Sequence, residues 1–148
     1  MCANSTTQLS DATASGVWTS TNTGVATVNS TGLVSGISAG TSIIRYTVTN
    51  VNGCVDSVST TVTVNALPVV APITGNTITA VTDAITLSNA TSGGVWSSSN
   101  TAIATISASG VVTGVMTGTV TISYTVTNGS GCVTTVTYVV TVNPKANG

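Results

Sequence analysis

The chain has 148 residues, of which 3% are charged and 3% aromatic, with no His and no Phe, and its formal net charge is −1. So neutral a surface offers no field for nucleic acid or an anionic membrane, and no apolar run approaches the about 20 residues of a transmembrane helix. With no Glu, three Asp and one Lys, the acid–base pairs and activated nucleophiles of enzymes have no residues to be built from, so no catalytic residue is assigned.

Thr, Ser and Val dominate, a composition that suits pleated, half-buried strands, so the expected class is all-β. The opening MCANSTTQLS lacks the basic-then-apolar order of a signal peptide, and Met1 directly before Cys2 reads as an artificial start. Next comes GVWTSTNTGVATVNSTGLVSG, Gly16 to Gly36, in which NSTGLV reads as a tight turn between two short strands. The stretch TSIIRYTVT then alternates with period two, placing Ile44, Tyr46 and Val48 inward and Arg45 outward. A loop with Gly53 leads to Cys54 and a further strand ending Val62-Thr63-Val64-Asn65.

Pro68 punctuates the chain, and LPVVAPITGNTIT follows, with Val69, Val70 and Ile73 read as an edge strand that tolerates Pro68 and Pro72. From there the chain repeats itself. GVWSSSNTAIATISASGVVTG, Gly94 to Gly114, matches the earlier stretch without a gap at a spacing of 78. In the same register, Tyr124 to Asn128 matches Tyr46 to Asn50, and Gly131-Cys132-Val133 matches Gly53-Cys54-Val55. TISYTVT turns Ile122, Tyr124 and Val126 inward, and VTYVVTV does the same for Val136, Tyr138, Val140 and Val142. About half of the aligned positions are identical, which marks a tandem repeat. The expected domains are 1–66 and 67–148. Copy one has no counterpart of the LPVVAPITG segment, because Cys2 already aligns with Ala80. A cloned fragment of a longer array explains this most simply; strand addition by a neighbouring molecule is the other reading. The closing NPKANG is poorly suited to supply such a strand.

The order Trp, Ser, Asn, then Val/Ile-Ala-Thr-Val/Ile, then Gly-x-Val-Ser/Thr-Gly resembles the bacterial immunoglobulin-like domain, group 2. It is carried by Trp18, Ser20, Asn22, Val25 to Val28, Gly32, Val34 to Ile37 and Gly40, and again by Trp96, Ser98, Asn100, Ile103 to Ile106, Gly110, Val112 to Val115 and Gly118. The Thr-rich style resembles repeats of large secreted or surface proteins of Bacteroidetes-type bacteria. The resemblance implies two Ig-like Greek-key β-sandwiches, the first lacking its first strand. It makes Gly32, Gly36, Gly40, Gly110, Gly114 and Gly118 turn glycines, and Trp18, Trp96, Tyr46 and Tyr124 core anchors rather than sugar-stacking platforms. It also implies a Cys2–Cys54 disulfide, with Cys132 left free or pairing between molecules; three reduced thiols are the alternative in a reducing compartment.

No cofactor or metal is expected, since three non-repeating Asp do not supply a calcium site and no His is available for zinc. The leading expectation is a structural spacer of an extracellular or cell-surface repeat protein, its partners being neighbouring Ig-like repeats or copies of itself. Self-assembly into a filament is the second expectation. Adhesion to carbohydrate or ice through Thr-rich faces, such as Thr121, Ser123, Thr125 and Thr127, is the third; nothing in the sequence specifies a glycan or cell-surface ligand.

Overall fold

The computed structural model describes residues 1–145; the end of the NPKANG tail lies outside them. The described residues form thirteen strands and no helix, in two compact units, one spanning Met1–Leu67 and one beginning at Pro68.

In the first unit, β1 (Thr6–Gln8), β4 (Leu33–Gly36) and β3 (Ala26–Val28) form one antiparallel sheet in the order β1-β4-β3. The facing sheet has the order β2-β5-β6, from Val17–Ser20, Gly40–Thr49 and Val55–Val64. Period-two alternation decides which side of each strand is buried. Along β5, Ser42, Ile44 and Tyr46 are buried while Thr41, Ile43 and Arg45 are exposed. Val25, Ala26, Val34, Ile44, Val62 and Val64 make the core between the sheets, with Leu9 and Trp18 packed against it.

The second unit repeats the plan. β10 (Ala104–Ile106), β11 (Val111–Gly114) and β8 (Ala84–Thr86) form one sheet; β7 (Ile78–Ala80), β13 (Val133–Asn143), β12 (Gly118–Thr127) and β9 (Val95–Ser98) form the other. The strands pair antiparallel except β7 with β13, where Ile78, Thr79 and Ala80 run parallel to Thr141, Val142 and Asn143, and a single parallel bridge joins Val81 to Gly114. In the first unit the counterpart of the β7 and β13 pairing is a single parallel bridge, Cys2 with Asn65. The core of the second unit contains Leu87, Ala104, Val112, Ile122, Tyr124, Val140 and Val142, and it adds Ile73 from the segment that precedes β7.

That segment corrects one expectation. Residues 69–73 are not a regular strand: Thr74 makes one antiparallel bridge to Ser88, Val69 is 92% exposed, and Ile73 alone is fully inserted. Pro72 has no N–H to donate, which limits ladder formation here.

Candidate functional site

The most closely duplicated constellation is a Trp–Tyr corner. Trp18 on β2 lies directly opposite Tyr46 on β5, and Trp96 on β9 opposite Tyr124 on β12. Both pairs have ring centroids 4.6 Å apart, tilted by 47° and 49°. The tyrosine hydroxyls are pinned: Tyr46 donates to the Thr13 carbonyl at 2.5 Å and accepts from the Gly16 N–H at 2.9 Å. Tyr124 repeats both bonds with Thr91 and Gly94. A Cβ on Gly16 or Gly94 would stand 2.2 or 2.3 Å from the Tyr ring, so these two glycines belong to the corner. Sequence reasoning placed the aromatic rings inward but missed the glycines, whose signal was their identity in both copies directly before Val-Trp. The tryptophans themselves are half-buried and the tyrosines buried.

The six glycines expected in turns divide into three kinds. Gly32 and Gly110 close tight turns at φ of 86° and 90°, bonding back to Asn29 and Ser107. Gly36 and Gly114 are not turn residues; they end β4 and β11, buried against the Cys2 and Ala80 carbonyls, where a Cβ would lie 2.9 and 2.4 Å from oxygen. Gly40 and Gly118 open β5 and β12 beneath the Val25 and Ile103 side chains.

The expected Cys2–Cys54 bridge is not formed: Cys54 is a free, exposed thiol. Cys2 bridges Asn65 at the far end of β6, whereas Cys54 precedes the first residue of that strand. Eleven residues of strand at about 3.3 Å each hold them some 35 Å apart, far beyond the roughly 7 Å a disulfide spans between Cα atoms. The expectation for Cys132 is corrected as well: it is buried and, like Cys2, disulfide-bonded.

Between the open edges of β1 and β6 the first unit carries a groove. Two adjoining clefts of about 280 and 240 Å³ share Asp11, Tyr46 and Val58; the inner one has Leu9, Trp18 and Ile44 as its apolar lining. Val58 is 56% exposed there. In the second unit, the same place is covered by residues 70–75. Asp56 and Asp11 line the outer cleft, but among the described residues no three His, Cys, Asp or Glu gather as a metal site would require. Asp83 sits elsewhere, 3.9 Å from exposed Lys145. What the groove offers is apolar contact and unpaired main chain.

The Thr-rich row on β12 lies on the outer side of its sheet. Ser123 is flanked by Ser97 and Thr137, and Thr125 by Val95 and Thr135, whose hydroxyl is 3.0 Å from that of Thr125. Among the described residues no helix is long and apolar enough to cross a membrane.

The family model of the bacterial Ig-like domain (group 2) matches residues 3–62 and 55–137. Ice-binding protein 1 of Shewanella frigidimarina (strain NCIMB 400) is 37% identical over 115 residues, 71% of this chain but 13% of that protein. Among solved structures, domains 1–6 of the surface layer protein SbsC share 25% identity at a TM-score of 0.35, over 89% of this chain and 20% of that one. A C-terminal fragment of intimin, in complex with the intimin-binding domain of its translocated receptor, shares 20% at a TM-score of 0.38, over 86% and 51%.

Proposed function

Because the chain belongs to the bacterial Ig-like domain (group 2) family, we propose that it is a non-enzymatic spacer of a secreted or cell-surface bacterial repeat protein, built to connect and to carry load. The observation that carries this reading is how each unit joins its two ends. In the second unit the entering strand β7 runs parallel to the exiting strand β13, with Thr141 N–H bonded to Thr77 O at 2.8 Å and Val81 N–H to Asn143 O at 3.0 Å. In the first unit Asn65 N–H bonds Met1 O at 2.8 Å and Ala3 N–H bonds Asn65 O at 2.9 Å. Tension on a unit pulls the entering strand from its start and the exiting strand from its end. Parallel pairing turns that into shear, so all the bonds of the patch bear load together instead of opening one at a time.

Single-molecule pulling on the whole chain, with disulfides reduced, tests this. Two unfolding events are expected, the stronger from the second unit, whose patch is three pairs long rather than one bridge. Extension at negligible force in both units would remove the load-bearing role.

A second reading rests on the outer face of β9, β12 and β13, where Ser97, Ser123, Thr125, Thr135 and Thr137 form a registered array of hydroxyls. Such an array, together with the relative named for ice binding, supports an ice-facing surface. Thermal hysteresis of the purified chain that disappears in Thr125→Lys would favour it; its absence in the parent chain would dismiss it.

A further inference from the structure

We propose that the free edge of β13 is a strand-pairing site whose occupant is the same edge of a second molecule of this chain, joined antiparallel about a two-fold axis at Val136. This goes beyond the spacer reading and stands whether or not the units carry load.

Bond direction along β13 fixes which residues present their main chain outward. Thr141 N–H donates to Thr77 O and Asn143 O accepts from Val81 N–H, so the main-chain groups of these two residues point away from β12. Antiparallel ladders alternate bonded and non-bonded pairs, so Val133, Thr135, Thr137 and Val139 point the same way. β7 takes up only Thr141, Val142 and Asn143. The segment ahead of β7 leaves the rest unpaired: Thr74 bridges Ser88 beside β8 in the other sheet, and the main chain next bonds β13 at Thr141. Val133 and Val139 are 48% and 58% exposed, and Thr135 and Thr137 are exposed with them.

Strand edges are ordinarily guarded by charge, proline, a bulge or shortness. β13 has none of these. Its eleven residues include no charged residue and no proline, and its register with β12 runs through ten consecutive pairs. The equivalent edge of the first unit is guarded. Asp56 stands where β13 has Thr134, and its carboxylate accepts the Ser57 N–H at 2.9 Å, one of the donors an incoming strand would use.

The pattern of the edge names its occupant. About an axis at Val136, Val133 lies opposite Val139 of the second molecule, and Thr135 lies opposite its Thr137. Valine then meets valine and hydroxyl meets hydroxyl on the exposed face, the pairing that stabilises neighbouring strands. Moving the axis to Thr135 or Thr137 sets valine against threonine instead. Each of the four outward pairs exchanges two main-chain bonds, about eight in all. No charge on either edge opposes the approach, and a patch that pairs with itself about a two-fold closes at two molecules.

Sedimentation velocity on the whole chain reads this association, in a Cys54→Ser background that removes the exposed free thiol. A monomer–dimer equilibrium is expected by about 1 mM chain, because some eight bonds of modest net worth must offset the cost of association. Thr135→Lys combined with Thr137→Lys sets like charges across both threonine pairs and should weaken the dimer about tenfold. Thr135→Glu with Thr137→Glu should do the same, and an equimolar mixture of the Lys and Glu chains should dimerise again, which misfolding of either variant would prevent. Ser123→Arg lies one strand in from the edge, where the first unit carries Arg45, and should leave the dimer intact. No dimer at that concentration, indifference to the paired lysines, or a mixture that stays monomeric would overturn the proposal. So would loss of the dimer in Ser123→Arg, which would mean that the sheet face is the contact, or polymers larger than dimers, which would mean that the guarded edge pairs as well.

Discussion

At single positions the two copies act as controls for each other. Thr82 has φ of 71°, a left-handed conformation that is costly for a β-branched residue. Its counterpart Asn4 has φ of 65°, where an Asn is at home. Likewise Ser15, at 69°, stands where the second unit has Gly93 at 83°. Thr82→Asn and Ser15→Gly should each stabilise their own unit by about 1 kcal/mol, read as a rise in the midpoint of urea unfolding; a fall in either would mean that local contacts outweigh the backbone strain. The tyrosine hydroxyls carry more. Tyr124→Phe leaves the Gly94 N–H and the Thr91 carbonyl without their partner in a half-buried corner, a cost of about 1–3 kcal/mol. The same change at the exposed end of Tyr138 should cost less, and equal losses would argue against the corner as a distinct stabilising feature. None of this was legible from residue types alone, because positive φ and hydroxyl bonding depend on where turns bring the backbone. Ser42 makes the same point: it faces inward on β5 where the second unit has Val120, and it is tolerated because Ser20 Oγ lies 2.7 Å away and Asn22 N–H donates to it.

At the scale of strands, alternation was readable and pairing partners were not. The inward set Ile122, Tyr124 and Val126 is buried because a strand with one apolar face has one register that hides it. The turn at Asn29 to Gly32 follows from a glycine placed between two such runs. The disulfide expectation failed for a reason that belongs to this scale. Resemblance placed Cys2 and Cys54 in one copy, but a strand of ten residues keeps the start and end of β6 far apart, and Cys2 pairs beside its end. Gly36 and Gly114 were misassigned to turns for a related reason. Their need for a missing Cβ comes from the entering strand's carbonyl, a neighbour distant in sequence. The groove was half legible: Leu9, Trp18 and Tyr46 could be aligned with Leu87, Trp96 and Tyr124, but that they line a cleft depends on where the fold brings Val58 and Thr60.

At the scale of the molecule, two copies identical at about half of their aligned positions should have unequal stabilities. Residues 70–75 add Ile73 to the core and complete the burial of Leu87 in the second unit, and β7 adds three parallel pairs where the first unit has one bridge. Burying an Ile and the remainder of a Leu contributes about 2–4 kcal/mol, reduced by the entropy of ordering the covering residues. The first unit should therefore unfold first. Each unit holds one tryptophan beside its core, so Trp96→Phe leaves a fluorescent reporter of the first unit and Trp18→Phe a reporter of the second. In urea with disulfides reduced, the Trp18 signal should change at a lower midpoint than the Trp96 signal. Coincident midpoints would mean that the two units unfold as one block, and the added contacts of Ile73 and β7 would then give the second unit no advantage of its own.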